Sequence, residues 1–201
     1  MKFYKFISVI LHPIVIPTLG VLLFLSISPA LILPQRQYLL LSIIFFFTYV
    51  VPLISLIIFK ALGVIKSYHV KTIEERKLPM FLILVIFYSL GKFLIESTLF
   101  RELGILFYGT ILALLLCYGL FFFKIKTSLH VLSISSATGF FMIYGASNQI
   151  QMIPVISVLM IFTGILATAR LELKAHRPSE IYIGFFLGIL SQCISYYAYS
   201  I

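Results

Sequence analysis

The chain has 201 residues, 62% of them hydrophobic and only 10% charged, with a formal net charge of +9. A soluble domain carries about 25% charged residues, so this composition cannot supply the polar surface of one. The positive charge is no nucleic-acid footprint either: the basic residues sit between long apolar runs, where they can meet anionic headgroups or line a site.

Apolar segments run over 6–27, 38–60, 79–98, 103–123, 130–147, 152–168 and 180–199. Each is near the length that crosses ~30 Å of hydrocarbon as a helix. They predict an all-α, polytopic membrane helical bundle of six to seven transmembrane helices, with residues 1–201 as a single membrane domain. The expected setting is an integral protein of the bacterial inner membrane. The first segment follows Met-Lys-Phe-Tyr-Lys and lacks a small-x-small cleavage site, so it reads as an uncleaved span. His12, Pro13 and Pro17 mark it as kinked or broken.

The connections alternate in character. Those after the first, third and fifth segments are short and poor in charge; "ASNQIQ" has none. Those after the second, fourth and sixth are "KALGVIKSYHVKTIEERKLP", "KIKTSLH" and "ARLELKAHRPSE". Each pair of spans returns the chain to the side it left, so these three share one membrane face with the N-terminus. Lys2, Lys5, Lys60, Lys66, Lys71, Arg76, Lys77, Lys124, Lys126, Arg170, Lys174 and Arg177 fall there, against Arg36, Lys92 and Arg101 opposite. The positive-inside rule makes the polar face cytoplasmic. The bias weakens to six against three when Lys71, Arg76, Lys77, Arg170, Lys174 and Arg177 are set aside for chemistry.

Two further counts bear on chemistry. The chain has no aspartate, and its only adjacent glutamates are Glu74 and Glu75. Metal-held lipid diphosphate chemistry needs clustered carboxylates; a single adjacent pair argues against it, and no metal or other cofactor is expected. Cys117 and Cys193 lie in separate spans without metal-type spacing and read as apolar filler.

The polar connections hold a constellation. With a span beginning near Pro178, His176 and Glu180 lie one helical turn apart. A carboxylate on one imidazole nitrogen fixes the tautomer and frees the other nitrogen to attack. Arg170 and Arg177 offer forked donors for phosphate oxygens. Ser128 stands two residues before His130 at a span start, where a hydroxyl can bond a phosphoryl oxygen while the histidine handles a proton. Lys71, Arg76 and Lys77 add cations on the same face.

These stretches resemble the type 2 phosphatidic acid phosphatase superfamily. Its three motifs are a Lys-containing stretch ending in Arg-Pro, a Pro-Ser-Gly-His, and a Ser-Arg-x5-His-x3-Asp. Here "KTIEERKLP", "TSLH" and "ARLELKAHRPSE" occur in that order, and the resemblance covers about residues 60–195. Thr127, Leu129, Ala169 and Glu180 stand where the motifs have proline, glycine, serine and aspartate. The Lys-to-Arg spacing of the first motif is not kept, so either Arg76 or Lys77 takes the arginine's place.

The resemblance implies a metal-independent lipid phosphate or polyprenyl phosphate/diphosphate phosphatase. His176 is the implied nucleophile, forming a phosphohistidine. His130 protonates the leaving lipid oxygen and then activates water, and Glu180 orients His176. Arg170, with Lys71 and Arg76 or Lys77, neutralises the phosphate oxygens, and Ser128 adds a hydrogen bond. The implied partners are a membrane lipid phosphate and the bilayer, with no nucleic acid. Two alternatives stand beside it: a catalytically inactive, phosphatase-like lipid-binding protein, and a small transporter. A transporter wants ionisable residues near the bilayer midplane, and the middles of the last three segments have almost none.

Overall fold

Proline decides where the apolar segments can stay helical. In the computed structural model, which describes residues 1–27, 33–68, 70 and 72–200, the first segment is two half-length helices. These are α1 (Lys2–Ile10) and α2 (Ile16–Ile27). Pro13 and Pro17 lack the N–H groups that a continuous helix needs and crowd the preceding turn. The chain turns instead, with Val15 N–H donating to the His12 carbonyl at 2.8 Å. The first segment is thus broken where His12, Pro13 and Pro17 mark it.

The second segment, α3 (Pro34–Phe45) and α4 (Val51–Ala61), is joined through a π-helical turn at Phe46–Val50. Pro52 removes a backbone donor just beyond it, and Val51 N–H reaches back to Phe46 in the wider register. Thr48, buried in that turn, bonds Thr18 of α2 at 3.1 Å.

Helix α5 (Ile73–Ile95) begins six residues before the apolar segment at 79–98 predicts. The reason is a capping box. Glu75 N–H donates to the Thr72 hydroxyl, and Thr72 N–H donates to the Glu75 carboxylate. Pro79 is therefore inside α5, and Arg76 and Lys77 ride on its first turns rather than on a loop. Beyond it run α6 (Arg101–Leu120), α7 (Leu129–Ser147), α8 (Ile153–Glu172) and α9 (Pro178–Ser200). Helix α8 continues past the predicted end at 168, so Arg170 is in its last turn.

Among the described residues, six helices are long and apolar enough to cross a membrane, counting α3 to α4 as one. Their outer faces expose large apolar side chains such as Phe46, Phe81, Ile161 and Phe186, as a lipid-facing surface requires. Helix α7 is central and the most buried of them. It packs closely on α9 because glycine allows it: a Cβ at Gly184 would lie 2.8 Å from the Ser128 carbonyl, and one at Gly188 would lie 2.7 Å from that of Leu132.

Hydrogen bonds stitch the three polar connections into one face. Arg76 Nη1 donates to the Thr127 carbonyl at 3.1 Å, and Ser128 N–H donates to the Glu180 carbonyl at 3.1 Å. At the other end Arg101 donates to the Tyr199 carbonyl at 3.0 Å. This arrangement predicts that single cysteines at Lys124 and Lys174 are labelled by a membrane-impermeant reagent from one side. Cysteines at Ser97 and Gln149 should be labelled only from the other. Labelling of all four from one side would refute the alternation.

Candidate functional site

Each basic side chain reaches the site from a helix end. His176 lies in the connection just before α9, where Pro178 opens the helix. Its Nδ1 is 2.6 Å from Glu180 Oε2. The carboxylate can only accept, so Nδ1 carries the proton and Nε2 presents a lone pair. His176 is 8% exposed. Burial lowers its pKa from 6.5 to about 4; the Glu180 hydrogen bond opposes this, while the nearby charges of Arg170, Arg76 and Lys126 reinforce it. The imidazole is therefore neutral at neutral pH. Lys126 is itself pushed down by burial and by Arg76, with Glu180 opposing.

Arg76 is buried. Its Nε donates to the Val70 carbonyl at 3.0 Å and its Nη1 to that of Thr127. Both bonds fix the guanidinium plane and leave Nη2 for a ligand. Thr127 is held in turn by Cys117, whose Sγ is 2.8 Å from the Thr127 hydroxyl. Cys117 thus does more than fill apolar space. Arg170 uses Nη1 on the Ser8 hydroxyl at 2.7 Å, and its buried Nε has no partner. His130 Nε2 lies 3.2 Å from the Ser8 carbonyl, an acceptor, so Nε2 bears the hydrogen.

These groups converge on one cavity of about 180 Å³, lined at one end by His12, Arg76, His130, Arg170 and His176. Its other end runs down between helices along Leu82, Ile83, Phe87, Leu106, Phe107 and Leu114. A polar, cationic end therefore continues into a mostly apolar shaft, interrupted by hydroxyls such as those of Thr110 and Ser136. The cations outnumber carboxylates there: Glu180 is already engaged with His176, and Glu75 is tied to backbone at Lys66 and Thr72. A site with buried, incompletely paired guanidinium donors favours an anion.

The other sequence-predicted residues fall elsewhere. Lys77 is exposed, whereas Arg76 beside it lines the cavity. Ser128 is fully buried with an unpartnered hydroxyl and is not part of the cavity wall. Glu180, with Lys124, Lys126 and Arg177, borders a separate surface depression. Lys71 and His69 lie outside the described residues. Two residues of the first segment join the site instead. Ser8 bridges Arg170 and His130, and His12 meets His130 edge to face at 5.0 Å between ring centres. The prolines announce the break that brings His12 there, whereas no spacing rule singles out Ser8.

No protein-family model matches the chain, and no curated protein or solved structure matches it. What the site can do follows from its own geometry.

That geometry makes a titration prediction. In nitrogen-15 histidine spectra, His176 should stay neutral far below pH 7 and protonate with a midpoint at about 4. Glu180→Ala removes the hydrogen bond that favours the charged form, so the midpoint should drop further. A midpoint at the ordinary 6.5 would show that the ring is not buried among cations.

Proposed function

We propose that this protein is an integral-membrane phosphatase of lipid phosphates, working without a metal through a phosphohistidine on His176. The observation that carries this reading is the convergence of His176, His130, Arg76 and Arg170 on a cavity that continues into an apolar shaft. The phosphate would lie among the cations and the hydrocarbon tail along Ile83, Phe87 and Phe107.

In the proposed reaction, Arg76 and Arg170 bind the non-bridging oxygens. His176 Nε2 attacks phosphorus, forming a P–N bond as the P–O bond to the lipid breaks. His130 takes a proton from solvent at Nδ1 as the phosphate dianion enters, and this imidazolium gives that proton to the departing oxygen. Neutral His130 then takes a proton from water, whose oxygen attacks phosphorus; the P–N bond breaks and inorganic phosphate leaves. Glu180 holds the Nδ1 proton throughout and offsets the charge that develops on the ring. Such a reaction draws its catalysis mostly from positioning and charge. It suits a donor set rich in arginine and histidine.

Phosphate release from phosphatidate and from a polyprenyl phosphate, assayed in detergent with excess chelator, tests the proposal. His176→Ala should abolish turnover, and Arg76→Ala or Arg170→Ala should lower kcat by about 10²–10³-fold, as loss of a charge-stabilising donor does. Lys77→Ala, an exposed change, should stay within about twofold. Turnover that survives His176→Ala, or that chelator removes, refutes the proposal.

A further inference from the structure

We propose that Ser8, on the first half-helix, is a positioning residue of this site that orients Arg170 and His130 toward a bound phosphate. Its catalytic arm rests on the phosphatase reading; its binding arm needs only that the cavity takes a phosphate-like anion.

Three contacts carry the proposal. The Ser8 hydroxyl accepts from Arg170 Nη1 at 2.7 Å, and it lies 3.4 Å from His130 Nε2. The Ser8 carbonyl accepts from His130 Nε2 at 3.2 Å. One residue thus touches two groups that lie 162 and 122 positions away. Ser8 is itself buried, on a helix packed against α8.

The effect on Arg170 follows from its shape. A guanidinium is a rigid planar fork on a flexible stem. Anchoring Nη1 fixes the plane, and it leaves the buried Nε without any partner. A buried, unpartnered donor costs free energy unless a ligand meets it, so Ser8 holds a donor in readiness. For His130, the carbonyl sets the Nε2–H tautomer and pins the ring in the cavity wall, with His12 edge-on against it. The break at 11–15 is what allows α1 to end here. A continuous helix could not place Ser8 beside α8 and His12 beside α7 while α2 descends along α7.

The opposite role would be a plug, in which the oxygens of Ser8 occupy the place of phosphate oxygens and hinder binding. The two roles predict opposite signs. Orthovanadate, a phosphate-like anion, is titrated calorimetrically into purified wild-type protein and into Ser8→Ala, Ser8→Thr and Ser8→Cys. The positioning role predicts that vanadate Kd weakens about tenfold in Ser8→Ala, the size of one charge-assisted hydrogen bond. Ser8→Thr, which keeps the hydroxyl, should restore it. Ser8→Cys keeps the volume with a weaker acceptor and should fall between, even where the alanine variant is less stable. With lipid phosphate as substrate, kcat should fall more than KM rises.

Vanadate binding that is unchanged or tighter in Ser8→Ala overturns the proposal, as does Ser8→Cys binding like wild type, or wild-type protein that takes no vanadate. Wild-type protein that hydrolyses no lipid phosphate, yet binds vanadate in a Ser8-dependent way, sinks the phosphatase reading and leaves this one standing. Turnover indifferent to Ser8→Ala does the reverse.

Discussion

The close approach of α7 and α9 is the constraint on which the site depends. Gly184 and Gly188 let the two backbones touch, and a Cβ at either would fall within 2.8 Å of a carbonyl oxygen, that of Ser128 just before α7 or of Leu132 within it. That approach sets Ser128 N–H on the Glu180 carbonyl, tying the start of α7 to the first turn of α9. His130 sits one residue inside α7 and His176 two residues before α9. The glycine contact therefore fixes the spacing between the two histidines. In a bilayer, where lipid offers no hydrophobic drive between helices, such small-residue packing is the main means of holding two helices in register.

Around that seam the protein carries an electrostatic imbalance. Arg76 and Arg170 reach the cavity with His130 and His176, and Lys126 is close enough to influence them. Against these stands Glu180, already bonded to His176. Buried charge without a partner is costly. The structure limits the cost by giving Arg76 two backbone carbonyls and Arg170 a hydroxyl, contacts that spread charge without cancelling it. The remaining deficit is one that an anion would fill. The proposed substrate, a phosphate with a hydrocarbon tail, draws on the second property of the cavity, its change from a cationic end to a mostly apolar wall.

Much of this was legible in the sequence. Run lengths and charge gaps predict the spans, and parity puts three polar connections on one face. The His176–Glu180 pairing follows from helical spacing once Pro178 marks the start of α9. The choice between Arg76 and Lys77 depends on helical phase instead. That phase is set by the capping box of Thr72 and Glu75, a Thr-x-x-Glu signature present in the sequence whose consequence is a start six residues before the apolar run. Ser8 was not legible, because its partners lie on α7 and α8 and only packing joins them. Ser128 resists a spacing argument for the same reason: a residue's rank in a motif does not fix which way its side chain turns.

The departures from the motif pattern acquire physical content from these contacts. Thr127 serves Arg76 through its carbonyl, which any residue provides, and its hydroxyl is spent on Cys117. Leu129 stands in the cavity wall, where it adds apolar surface beside His130. Ala169 is fully buried and offers no hydroxyl beside Arg170, yet Arg170 has one, supplied by Ser8 from another helix. The hydroxyl that anchors Arg170 thus comes from a segment far away in the chain. The cost is dependence on distant packing: here the orientation of Arg170 rests on a half-helix whose position is set by the Pro13 and Pro17 break. The first span is thereby part of the site rather than an anchor beside it.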